Sequence, residues 1–154
     1  MKTYSKNHIT NILRKIKLTF LKIYRAQGSD HEIALGATIG VFWGVFPTFG
    51  LSTLLTLILF KFIRFNLPVA ISAAFISNPL TSPFLLLTSY QVGSFFVDTG
   101  VKFEYENWAH NLSKLGLVML IGSTIVSSVS ALLIYFLVKY ILKKKKEFNS
   151  KKIT

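Results

Sequence analysis

The chain has 154 residues, 51% of them apolar, no cysteine and a formal net charge of +12. Its mean hydropathy of +0.50 is high for a soluble domain and favours membrane residence. The missing cysteines exclude disulfides, thiol catalysis and Cys-based metal sites, and the charge distribution argues against nucleic acid: seven of 18 basic residues lie in residues 1–25 and seven from Lys139 onward, flanking uncharged runs.

In residues 1–27, Ile9, Leu13, Ile16, Phe20 and Ile23 recur every three or four positions, which predicts a basic amphipathic helix. Such a helix suits anionic lipid headgroups or packs its apolar face on the rest of the protein. Arg14, Lys15, Lys17 and Lys22 interrupt the apolar residues and no small-residue cleavage site follows, so a signal peptide is not expected. Gln27-Gly28-Ser29 ends this helix, and Ser29 with Glu32 has capping-box spacing before the next. A metal role for Asp30, His31 and Glu32 is weaker, because adjacent helical residues diverge.

Ile33 to Phe60 is uncharged over 28 residues. Gly36, Gly40 and Gly44 fall four apart on one face, a small-residue pattern that lets another helix approach closely. Pro47 and Gly50 break the run into pieces of roughly 14 residues, ~20 Å each as helix, against a hydrocarbon core of ~30 Å. The run is therefore one kinked span or a hairpin that enters and returns. After Lys61 and Arg64, Phe65 to Val97 is uncharged for 33 residues, broken at Asn78-Pro79-Leu80-Thr81-Ser82-Pro83. At ~50 Å as helix it is too long for one simple span and too short for two. Thr88, Ser89, Tyr90 and Gln91 make its second piece polar, so these residues are expected to face protein or water, not lipid.

The link at 98–114 carries Asp98, Lys102, Glu104, Glu106 and Lys114. Residues 115–138 are 24 uncharged residues, the clearest single transmembrane helix, with Ser123, Ser127 and Ala131 as a small-residue face. Residues 139–154 read as a mobile Lys-rich tail. The expected fold is all-α and integral to the membrane: the amphipathic helix, a domain at 28–114 with two Pro-broken hairpins or broken helices, and the C-terminal span.

Residues 28–97 resemble a bacterial membrane family known as domain of unknown function 2062. The resemblance rests on Ala34-Leu35-Gly36 with Gly40-Val41-Phe42, Pro47 with Gly50, Arg64 with Asn66, Asn78-Pro79 with Thr81 and Pro83, and Tyr90 with Gly93. Leu51-Ser52 follows Gly50 where the family pattern suggests a glutamine. The resemblance implies a bacterial membrane protein of undefined biochemical role; with the apolar runs above, the expected location is the cytoplasmic membrane, crossed more than once. Some relatives join a similar domain to a glycosyltransferase, which hints at cell-envelope biogenesis.

Basic residues favour the cytoplasmic side. Both termini and the 61–64 link are basic, which places all three inside and the 98–114 link outside. That arrangement requires run 33–60 to return and run 65–97 to cross. Broken helices also leave backbone groups to be satisfied by protein, water or ligand, and transporters use paired breaks to bind substrates. Thr48, Asn78, Thr81 and Ser82, with carbonyls freed around Phe46 and Ser77, are the candidate ligand or break-capping groups. Pro47, Gly50, Pro79 and Pro83 are the breaks. Gly36, Gly40, Gly44, Ser123 and Ser127 are the packing positions. Two functions compete: a transport-like, solute- or lipid-binding protein, and a scaffold or accessory protein acting through helix packing with itself or a membrane partner. No catalytic, cofactor or metal motif is present, so an enzyme is not expected.

Overall fold

The computed structural model describes residues 14, 26–48, 50–75, 81–97 and 112–151. They form five helices: α1 Asp30–Val45, α2 Ser52–Phe60, α3 Leu67–Ala74, α4 Ser82–Phe96 and α5 Leu112–Lys151. Apart from Arg14, Ala26 and Gln27, the expected amphipathic helix lies outside the described residues, as do Asn78 and Pro79.

α1 starts at a capping box. Ser29 Oγ accepts from the Glu32 N–H at 3.2 Å, and Glu32 Oε2 accepts from the Ser29 N–H at 3.0 Å. It ends where Pro47 dictates. A residue before proline is pushed out of the helical region, and Phe46 is extended at φ −64°, ψ 138°. Pro47 thus stops α1 and does not kink it. Gly50, at φ +91°, then turns the chain into α2; its missing side chain matters for conformation only, since a Cβ there would meet nothing.

The chain returns along α2, because the Asn66 N–H donates to the Glu32 carbonyl at 2.9 Å, bringing the end of the link beside the start of α1. α3 then runs parallel to α1: Asn66 lies against Gly36, Ala70 against Gly40, and Ala73 clusters with Val41 and Val45. α5 runs antiparallel to α1, since Ile33 packs with Val138 and Leu142 while Val45 packs towards Val126. α4 is antiparallel to α5 as well, with Ser89 on Gly122 and Gly93 on Val118. Along α5 the order is therefore α4 on the N-terminal half and α1 on the C-terminal half.

α5 has 40 residues and is about 60 Å long. It corrects the expectation of a mobile tail: the helix continues through Lys143 to Lys151. Lys and Leu are good helix formers, Leu142 packs into the core with Ile33, and Lys146 Nζ pairs with Asp30 Oδ2 at 2.7 Å. α5 is also the one described helix long and apolar enough to cross a membrane, and 28% of its most apolar window is buried.

Candidate functional site

The described interior combines many small residues with larger apolar ones such as Ile33, Phe65 and Leu142. Ala34, Ala37, Ala70, Ala73, Ser89, Ser123 and Ser127 are buried, whereas Leu54, Phe84, Leu87, Phe95, Leu133 and Phe136 are exposed. A water-soluble domain buries its large apolar residues and shows polar ones. So many exposed large apolar side chains fit lipid, where close backbone contact between helices replaces the hydrophobic effect as the packing force.

Two crossings achieve that contact. In the first, Gly36 and Gly40 lie under the start of α3. A Cβ on Gly36 would come within 2.5 Å of the Asn66 carbonyl oxygen, and one on Gly40 would collide with the Ala70 carbonyl oxygen and stand 2.8 Å from the Ala73 Cβ. Gly44, one turn on, is buried too. In the second, α4 and α5 interlock reciprocally: a Cβ on Gly93 would collide with the Val118 carbonyl oxygen, and one on Gly122 with that of Ser89. Ser123 and Ser127 are buried beside this crossing, their hydroxyls donating to Leu120 at 3.1 Å and Thr124 at 3.2 Å. Gly93 was noted in the sequence only as part of the family pattern, although Ser89 lies four residues before it, and Gly122 not at all, since Val118 and Val126 occupy the positions four away on either side.

Asn66 joins these elements at one end. Its Oδ1 accepts from the Val69 N–H at 3.1 Å and caps α3. Its Nδ2 donates to the Gln27 carbonyl at 2.8 Å, and its own N–H reaches Glu32. Around it the charges pair: Lys146 with Asp30, and Arg64 within electrostatic reach of Glu32. His31 Nδ1 and the Tyr135 hydroxyl are 3.0 Å apart, and Lys139 Nζ lies 5.1 Å from the Tyr135 ring centre. The Glu32 carboxyl is held below its ordinary value, first by the Ser29 N–H, then by the Ser29 hydroxyl, with the Arg64 and His31 charges contributing less. A capping sequence before Leu67-Pro68 is the signal that could have singled out Asn66.

At mid-length the broken runs converge. Val41, Val45 and Ala73 form one buried cluster, and Leu85, Val126 and Ile134 pack on it. The last turn of α1, the last turn of α3 and the first turn of α4 thus share a level near the middle of the uncharged stretch 115–138. Phe42, Trp43 and Phe46 cluster just before Pro47 in sequence, Phe42 stacked on Phe46 at 5.9 Å and Trp43 edge-on to both at 5.1 and 6.1 Å. Thr48 Oγ1 donates to the Trp43 carbonyl at 3.4 Å, and the Thr48 N–H donates to Phe46 at 2.7 Å. This corrects one expectation: the Phe46 carbonyl is not freed by the break, because the turn closes on it. Thr81 precedes α4 and its carbonyl accepts from Leu85 at 3.0 Å. Ser82 and Pro83 are the first two residues of α4, so Pro83 starts that helix where a missing N–H costs nothing. Among the described residues, no buried side-chain nitrogen or oxygen lacks a hydrogen-bond partner.

The chain matches, over residues 13–151, the family described as "Uncharacterized protein conserved in bacteria (DUF2062)". No curated protein and no solved structure matches it. On that match, which covers most of its length, the chain belongs to this family of uncharacterised, membrane-associated bacterial proteins.

Proposed function

We propose that the chain is a multi-pass protein of the bacterial cytoplasmic membrane whose two broken runs form a mid-depth binding site for a small polar solute or a lipid headgroup. Run 33–60 is then re-entrant, run 65–97 crosses with a break, and α5 crosses back. The supporting observation is the convergence of Val45, Ala73 and Leu85 at the level of Val126, the arrangement paired broken helices adopt in transport proteins. Thr48, Asn78, Thr81 and Ser82 flank that level in sequence and would supply neutral polar contacts. No Asp, Glu, Lys or Arg lies within the three uncharged runs, so the ligand is held by hydroxyl, amide and carbonyl groups, and the protein binds without catalysing. Lys61, Arg64 and the α5 C-terminus form the cytoplasmic, anionic-lipid-facing end.

One observation favours the scaffold reading instead. Thr48 is already engaged by Trp43 and Phe46, which is what simple capping of a broken end requires. Water access separates the two. The chain has no cysteine, so Thr48→Cys and Ser82→Cys each introduce one thiol. In membrane vesicles of both orientations, a binding site predicts labelling of one or both by an impermeant maleimide, while Leu133→Cys stays unlabelled. If both stay silent alongside Leu133→Cys, with Glu147→Cys labelled as control, the breaks are dry and the scaffold reading holds.

A further inference from the structure

α4 presents one face to α5 and another to no described element. The first carries Ser89 and Gly93, both buried. The second carries Phe84, Leu87, Thr88, Gln91 and Phe95, all exposed, Phe95 to 86%. Four of these five suit lipid. The Thr88 hydroxyl is satisfied within the helix, donating to the Phe84 carbonyl at 2.8 Å. Gln91 is different. Its backbone carbonyl accepts from Ser94 Oγ at 2.9 Å, but among the described residues its side-chain amide forms no hydrogen bond.

The depth of Gln91 makes this costly. It lies between Ser89, which meets Gly122, and Gly93, which meets Val118. Gln91 is therefore level with about residue 120, inside the uncharged stretch 115–138. Helical side chains lean towards the helix N-terminus. For α4 that direction is towards Leu85 and the middle of the stretch, so the amide leans away from the nearer headgroups. An unpaired amide in hydrocarbon is strongly disfavoured.

We infer that α4 is a self-association face, on which Gln91 of one copy pairs with Gln91 of a second, flanked by Phe84, Thr88 and Phe95. Glutamine carries both a donor and an acceptor, so two copies related by a two-fold axis satisfy each other with reciprocal hydrogen bonds, as an isologous interface requires. The apolar residues around it supply close contact. Interhelical amide bonds of this kind stabilise helix association in membranes.

This inference rests on α4 lying in the bilayer, and its test separates the two claims. Thr88→Cys and Phe95→Cys, each the sole cysteine, are oxidised in native membranes, and the pellet is washed at alkaline pH. The expected result is a disulfide-linked dimer from both positions and none from Leu133→Cys on α5. Adding Gln91→Leu lowers the dimer yield roughly three- to tenfold, and Gln91→Asn retains much of it. Protein that stays in the washed pellet without α4 crosslinks, or with crosslinks indifferent to Gln91→Leu, overturns the self-association face alone. Protein released by the wash overturns both claims.

Discussion

The Asn66 N–H donates to the Glu32 carbonyl at 2.9 Å across 34 residues of sequence. One hydrogen bond of this kind closes the first apolar run on itself. Everything between the two residues leaves the basic end along α1 and returns along α2, and α3 then sets out again beside α1. The Asn66 side chain adds the α3 cap and the Gln27 contact, so one residue holds the starts of two helices together.

Asn66→Ala should therefore cost more than a helix cap. Loss of the cap alone is worth about 1 kcal/mol, and loss of the Gln27 bond adds roughly 0.5–1.5 kcal/mol. Asn66→Asp keeps the Val69 cap but turns an acceptor towards the Gln27 carbonyl, so it should fall between wild type and Asn66→Ala. Unfolding midpoints in detergent measure the order.

The glycines give a graded series. Gly40→Ala and Gly122→Ala place a Cβ against the carbonyl oxygens of Ala70 and Ser89, which are backbone and cannot move without separating helices. Each should destabilise by about 1–3 kcal/mol, as overpacking does. Gly116→Ala meets nothing within 4 Å and removes a helix-interior glycine, so it should be neutral or stabilising by up to ~1 kcal/mol. Gly50→Ala also meets open space but at φ +91°, and should cost about 1 kcal/mol through backbone strain alone. Melting temperatures that rank Gly116→Ala with Gly40→Ala would contradict this account.

Glu32 sets an acid limit. Its carboxyl is held below its ordinary value in the folded chain, chiefly because the Ser29 N–H bonds the charged form. A group whose folded value is depressed contributes stability that is present above its unfolded value and lost as pH falls through the folded one. The stability difference between wild type and Glu32→Gln should hold at neutral pH and shrink as pH falls through and below the ordinary carboxylate range. A difference that grows on acidification would reverse the sign and rule out this cause.

The sequence made some of this legible because the cause is local. Phe46-Pro47 marks the end of α1 by steric exclusion, Ser29 with Glu32 marks its start, and Gly36 with Gly40 marks a face that tolerates close approach. What those glycines approach was not legible: Asn66 and Ala70 come close only after the chain has turned back, which spacing along one helix does not encode. Gly122 was invisible for the same reason, a lone glycine whose partner, Ser89, is distant in sequence. The Lys-rich C-terminus misled through its charge, which read as tail although its propensity is helical and Leu142 and Lys146 anchor it to α1. Thr88 and Gln91 were expected to face protein or water along with Ser89 and Tyr90; Ser89 meets α5, but Thr88 and Gln91 meet no described element of their own chain.

The central claim is that run 33–60 comes back to the side it entered while run 65–97 crosses. Single cysteines at Gln27, Lys61, Glu106 and Glu147, probed in intact cells with an impermeant maleimide, test it most directly. The account predicts labelling at Glu106→Cys alone, with Gln27→Cys, Lys61→Cys and Glu147→Cys labelled only after the membrane is opened. Labelling of Lys61→Cys in intact cells while Gln27→Cys stays silent would mean that the first run spans the bilayer, and would contradict it.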